Sequence, residues 1–398
     1  MGHHRARVIR TVLRRLGTAA LVATVLLAAA GAEAAPRVPA NDDEVVETLP
    51  VVAGWSSEQR QLRRALAQRP GDAATAIDAA GRYLTLAREQ GDARYAGYAM
   101  GALQAWDAVP VDQTPPAVLV MRATVAQFLH DFDGAETMLK AALARQPADA
   151  QAWITLATLH RVRGRYDASD AACRALGRVG PALYAIACLA ENAGLRGQHA
   201  NAREALQGLL ATPALRDPGQ AGTRQWLLTS LAEVEELAGR PAEADAAYRK
   251  AVAAERSGYL LLVYSDFLQR MGRQAEIPAL LAGEARSDAV LLRLAVAARS
   301  PTQRDAVELR ERFEAAALRP GSVALHAREE AMFALDVQND AVRALELARL
   351  NVRLQREPVD LLVLARAASA AKDSAARDEA KALMQQIGLK DARVDAIP

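Results

Sequence analysis

Two cysteines and six histidines are the residues of this 398-residue chain best suited to redox or metal chemistry. His3 and His4 stand at the extreme N-terminus, and His130, His160, His199 and His326 are scattered along the rest. A zinc-type site needs three or four convergent ligands, and these four form no cluster in sequence. No CxxC, HExxH or Asp-rich calcium loop occurs, nor any Walker loop, dinucleotide fingerprint, GxSxG elbow or kinase signature. Strand patterns are absent, so no fused α/β catalytic domain has room. The expectation is a non-enzyme that carries no cofactor and no metal. Only Cys173 and Cys188 remain as a pair with chemistry to do, and their meaning depends on the elements that hold them.

The bulk numbers set the frame. Half of the residues are hydrophobic and a quarter charged, enough for a packed core. Aromatics make up only 4%. An alanine-rich core suits helices in close contact, because Ala loses no side-chain entropy on entering a helix. The net charge of +2 resides in the N-terminal stretch, where Arg5, Arg7, Arg10, Arg14 and Arg15 precede a charge-free run, Leu16–Ala30. Without residues 1–34 the balance turns slightly acidic, which removes any global argument for nucleic-acid binding. Ala32-Glu33-Ala34 follows as a small-x-small site, so residues 1–34 read as a secretory signal peptide cut after Ala34. An uncleaved anchor is the alternative, although the run is shorter than the roughly 20 residues that span a bilayer. Heavy use of Arg over Lys points to a GC-rich bacterial genome. The expected address is the periplasm, or secretion.

Two adjacent segments align without a gap at a spacing of 34 residues. Leu119 pairs with Trp153, Ala123 with Ala157, Phe132 with Tyr166, Ala135 with Ser169 and Pro147 with Pro181. Each segment reads as an apolar helix, a polar turn, a second helix and a proline. Small residues at the second and fourth of these positions let two helices approach closely. Large apolar residues fill the space around that contact, and proline ends the second helix. One such pair cannot bury its apolar face alone, so units must stack.

Trp153, Leu156, Ala157, Gly164, Tyr166, Ser169 and Pro181 give this segment its likeness: it resembles the tetratricopeptide repeat. His160 and Cys173 depart from that pattern, standing where large apolar or aromatic residues are usual. Weaker units continue through Leu189 and Gly197, through Leu231 and Gly239 after an insertion at Thr212–Gln220, and through Leu261 and Gly272. The last of these has a broken second helix at Pro278. Ala80, Leu84 and Gly91 mark a degenerate unit upstream. Asp288–Leu318, Leu325–Val352 and Asp360–Ile387 read as further pairs, with Asn339-Asp340 turning the middle one. The chain is also similar to a group of exported bacterial repeat proteins, through Val38–Asp43, Leu49-Pro50 and Gln355–Asp360, a resemblance that implies fold and no activity.

The expected fold is all-α, a right-handed solenoid of about nine antiparallel helix pairs over residues 58–390. The expected organisation is residues 1–34 as signal peptide, 35–57 as an extended arm, 58–282 as tetratricopeptide-like repeats, and 283–398 as divergent repeats with a C-terminal cap. Gly283–Pro301 is a candidate break between two sub-arrays. The resemblance implies that first helices line a concave groove. It places Tyr184, Trp226 and Tyr259 in one row and Glu191, Glu233 and Asp266 in another, with Glu236 beside them. One reading is a surface for an extended protein or peptide segment carrying Lys or Arg, since Tyr and Trp accept cations over their faces. The other is that the aromatics pack on the preceding unit and the acids form a solvated face.

Cys173 falls on the second helix of one unit and Cys188 on the first helix of the next. Stacked units make those helices neighbours, and export would supply an oxidising compartment, so a disulfide is allowed, worth about 3 kcal/mol. Two buried thiols are the alternative. Function is expected to be that of a non-enzymatic periplasmic scaffold binding a protein or peptide in the groove. The alternative is a structural subunit of an envelope complex for secretion, polysaccharide export or outer-membrane assembly.

Overall fold

The computed structural model describes residues 57–397 except 93 and 319–321. The expected signal peptide and, apart from Ser57, the expected arm before the repeats lie outside the described residues. Gln61–Pro398 packs as one compact body. Among the described residues there is no strand. After α1 (Ser57–Gln68), α2 (Ala73–Gln90) pairs with α3 (Arg94–Ala102), α4 (Pro116–Phe128) with α5 (Phe132–Arg145), and α6 (Ala150–Val162) with α7 (Tyr166–Val179). Units four and five follow as α8 (Ala182–Leu195) with α9 (His199–Leu210) and α10 (Ala221–Leu237) with α11 (Pro241–Ala254). In unit six α12 (Gly258–Arg270) meets only a 3₁₀ turn and the short α13 (Ile277–Leu280), where Pro278 breaks the second helix. Unit seven is α14 (Asp288–Ala298) with α15 (Arg304–Ala317). After α16 (Ser322–Leu325), unit eight is α17 (Ala327–Phe333), extended by a π-turn at Ala334–Gln338, with α18 (Ala341–Leu354). Unit nine is α19 (Pro358–Ala370) with α20 (Ser374–Ile387), followed by a last turn, α21 (Ala392–Asp395).

Local chemistry explains these boundaries. Asp72, Asp131, Asp149, Ser257, Ser287, Asp340 and Asp373 each accept a backbone N–H at the start of a helix, which satisfies donors that the helix leaves orphaned. The first helix of every unit ends on a left-handed residue: Gly91, His130, Gly164, Gly197, Gly239, Gly272, Arg299, Asn339 and Lys372. At six of these turns the next N–H returns to a carbonyl five residues back, as Arg165 does to His160 at 2.8 Å and Gln198 to Ala193 at 2.9 Å. The turn therefore repeats even where the side-chain pattern has drifted. Within unit three the small residues meet as expected, the Ser169 hydroxyl donating to the Ala157 carbonyl at 2.8 Å.

What the periodicity does not announce is that the array closes on itself. The Arg356 N–H donates to the Val162 carbonyl at 2.7 Å and the Lys390 N–H to the Leu195 carbonyl at 2.9 Å. Each joins residues about 195 apart, one superhelical turn onto the next. Both acceptors are carbonyls at a helix C-terminus, which the helix itself cannot satisfy. Gly164 and Gly197 serve this contact twice over. Their left-handed backbone disfavours a side chain, and a Cβ on either would come within 2.9 Å of Ile387 or Lys390. Tyr166, Leu195 and Leu237 accordingly share one apolar core with residues from Leu291 to Val394. The stretch Gly283–Pro301 is not a break between sub-arrays, because α14 within it packs on both α12 and α17.

Cys173 and Cys188 form a disulfide, with Cα atoms 5.8 Å apart and both side chains buried. It ties α7 to α8 across a unit boundary. Reduction is expected to lower unfolding free energy by about 3 kcal/mol. Urea melts with and without reductant measure this, and superimposable curves would show that the crosslink contributes nothing.

Candidate partner-binding face

The residues expected to line the inner face come from α8, α10 and α12, the first helices of three successive units. The structure brings two of the three aromatics into contact. Tyr184 and Trp226 stack with ring centroids 5.9 Å apart and planes 29° apart, and Tyr184 keeps 36% of its surface exposed. Tyr259 is 60% exposed, the most open tyrosine among the described residues, and its hydroxyl donates to the Glu233 carboxylate. Exposed aromatic area on a rigid helix is the kind of surface that binds at low entropic cost.

The acids behave differently from an open row. Glu191 accepts from Arg161 and, at 2.6 Å, from the Ser230 hydroxyl. Asp266 is buried in a two-pronged pair with Arg293, at 2.9 and 2.7 Å. Glu236 is 6% exposed and accepts from the Tyr248 hydroxyl at 2.7 Å, from Arg270, and from Arg393 at 3.4 Å. Burial pushes the Glu236 carboxyl up, but Arg270, Arg393 and Tyr248 outweigh it and hold it below its ordinary value. Asp266 and Glu236 are thus committed to internal partners and withdrawn from any visitor.

Glu233 is the exception. Burial lifts its carboxyl to about 7, against the Tyr259 hydrogen bond, and Glu191, Glu236 and Glu357 push the same way. Glu357 belongs to the loop before α19, so the second turn contributes negative charge beside Glu233 of the first. Its own partner is Arg328, which also grips the fully buried Asp360 at 2.6 and 3.0 Å. These three first helices therefore offer exposed aromatics around one carboxyl poised near neutrality. Sequence reasoning missed Glu357 and Arg393, because nothing in their spacing ties them to units so far upstream, and it missed Arg293, which reaches Asp266 from the next unit.

The histidines are structural in setting. His160 is buried, and burial pushes its imidazole down. His130 occupies the left-handed turn of unit two and stacks on Phe132 at 5.6 Å. Burial and then Arg328 push the His130 imidazole down, and that Arg328 neighbour is another sign of turn-on-turn contact. Among the described residues no three His, Cys, Asp or Glu side chains are placed to hold a metal ion. Nor, among those residues, is any helix long and apolar enough to cross a membrane.

Stacked helix pairs, each turning through a left-handed residue, make this a tetratricopeptide-like helical-repeat fold. No family model matches the chain. No curated protein matches it either. Among solved structures it is similar to a tetratricopeptide repeat protein from Parabacteroides merdae, at 15% identity over 64% of this chain and 88% of that one, with a TM-score of 0.41. It is also similar to the pilF protein of Pseudomonas aeruginosa, at 12% identity over 70% of this chain and 95% of that one, with a TM-score of 0.30. A third likeness is to Naa15/Naa10 bound to HypK-THB, at 13% identity over 85% of this chain and 65% of that one, with a TM-score of 0.26.

Proposed function

We propose that the protein is a non-enzymatic scaffold, exported to the periplasm, that holds a segment of another protein against its inner face at Tyr184, Trp226 and Tyr259. The observation that carries this reading is the stacked Tyr184–Trp226 pair with the open Tyr259 ring one unit further on. Rigid aromatic rings with exposed faces are typical anchors of recognition. A Lys or Arg of the visitor would find the Glu233–Tyr259 pair beside them, since a cation favours both a carboxylate and a ring face. Export is supported by the arginine-rich leader and by the buried Cys173–Cys188 disulfide, which an oxidising compartment permits.

Trp226→Ala is expected to cut capture of the partner from periplasmic extract at least tenfold, a loss of about 1.4 kcal/mol or more. Trp226 packs at the edge of its core cluster, so the melting temperature should stay close to that of the wild type. Quantitative pull-downs beside thermal melts read both effects. Undiminished capture by the folded variant would remove the aromatic row from the account.

A second reading, a structural subunit of an envelope complex, has one observation in its favour. The second superhelical turn is hydrogen-bonded to the first, which stiffens an array that would otherwise flex unit by unit.

A further inference from the structure

The turn edge of the array, where first helix meets second, is used twice along the chain. In units three and four it is already a docking edge. There the chain's own later segments donate N–H groups to the carbonyls of Val162 and Leu195, each two residues before the left-handed glycine of its turn. Nearby, Arg393 of the docked segment reaches Glu236. A basic side chain thus meets an edge that is acidic at that point.

In units six to nine the same edge comes round again, and among the described residues no other segment donates a backbone N–H to it. Two of the four equivalent carbonyls are those of Arg270, two before Gly272, and Val337, two before Asn339. Neither accepts a backbone hydrogen bond from outside its own helix among the described residues. Between them opens a cavity of about 540 Å³, lined by Gln269, Arg270, Arg299, Asp336, Asn339 and Arg366. That volume suits a few residues of peptide, and its polar lining does not suit an apolar ligand.

The charges there are unbalanced. Three arginines and one aspartate are among the lining residues, and Asp336 is engaged by Arg366, at 3.2 Å through one nitrogen. Arg270 shares Glu236 with Arg393, and its Nε is buried with no acceptor. Arg299 makes no ion pair among the described residues. It also holds a left-handed backbone, with φ of 53°, a conformation that a residue with a Cβ disfavours. The turn thus carries a strained arginine whose charge is unmatched.

We infer that the exposed turn edge of units six to nine docks an extended acidic segment of a partner protein, its backbone N–H groups meeting the open carbonyls and one carboxylate seated among Arg270, Arg299 and Arg366. The first turn supplies the mode of docking, and the reversal of charge from Glu236 to this arginine group sets the sign of the visitor. Bidentate geometry makes guanidinium the natural receiver of a carboxylate. This site shares no residue with the aromatic row.

The test uses the full mature chain and a fluorescent, end-blocked peptide of alternating Ala and Glu, with its Ala/Gln counterpart as control. Anisotropy titration should show saturable binding of the Glu peptide and binding about tenfold weaker, or worse, for the Gln peptide. Arg299→Asn removes the charge while Asn tolerates the left-handed turn, and should weaken the Glu peptide about tenfold. Arg366→Gln should weaken it similarly, and it disturbs a different helix, so the two variants do not share one route to misfolding. Lys372→Asn, which removes a cation from a later left-handed turn outside the cavity, should bind as the wild type does, as should Trp226→Ala. The proposal is overturned by any of three results: no saturable binding, binding indifferent to both arginine changes, or free glutarate competing as strongly as the peptide.

Discussion

Glu236→Ala is expected to lower the unfolding free energy by about 3–5 kcal/mol, the range for removing one member of a buried ion pair. Glu236 lies in the last turn of α10 and gathers Tyr248, Arg270 and Arg393 around one carboxylate. Its removal leaves the fully buried Tyr248 hydroxyl without an acceptor. It also leaves Arg270, whose Nε already lacks one, without a counter-charge. Orphaning buried polar groups costs far more than the bonds themselves are worth. Arg393 keeps its pair with Asp391, so α21 should loosen before the array as a whole opens. Urea unfolding reads the global loss, and amide exchange over residues 388–397 reads the local one. A loss below about 1 kcal/mol would mean that Glu236 is solvated, and would return it to the surface available to a partner.

The second large effect concerns Glu233, and it depends on pH. The folded carboxyl, lifted to about 7, holds its proton more tightly than the ordinary value of 4.5 in the unfolded chain. Its contribution to stability is therefore fully present below about pH 4.5 and is lost as pH rises toward 7. The loss amounts to about 3 kcal/mol. Glu233→Gln cannot titrate, and its partner Tyr259 can still donate to the amide oxygen. The variant should gain on the wild type across that window, be more stable by up to about 3 kcal/mol at pH 8, and lose the advantage near pH 4.5. The difference between the two proteins isolates this group from Glu191, Glu236, Glu357 and Arg161 around it. Stability curves that run parallel from pH 4.5 to 8 would show that water reaches the carboxyl freely.

Both effects fall on residues whose type the sequence singled out and whose circumstances it did not convey. Glu236 and Glu233 stand three residues apart on one helix, yet one is clasped by two arginines and the other repelled by three carboxylates. The difference comes from Arg270, Arg393 and Glu357, which belong to units six and nine. Helical spacing places Glu233 and Glu236 on neighbouring faces but carries no information about what arrives from so far along the chain.

The helix pairs were legible because their causes are local. The spacing of 34, the glycines and Asn339 at the turns, Pro278 and the insertion at Thr212–Gln220 each act within a few residues, and each appears where expected. Cys173 and Cys188 are a middle case. Adjacency of units made the bond permissible, and the packing of α7 on α8 made it. His130, Arg299 and Lys372 show the limit of side-chain patterns, since they take the left-handed turn without being glycine.

By itself the sequence determined that this chain forms stacked helix pairs with an aromatic row on successive first helices. Tertiary structure alone decided that Arg356 and Lys390 come to rest on Val162 and Leu195, that the acids are mostly claimed from within, and that the arginine-lined edge of the later units receives no such backbone contact among the described residues. The physical reason is that a superhelix sums small rotations from unit to unit. A pattern of 34 residues specifies each step, whereas the place where residue 390 meets residue 195 depends on the accumulated total.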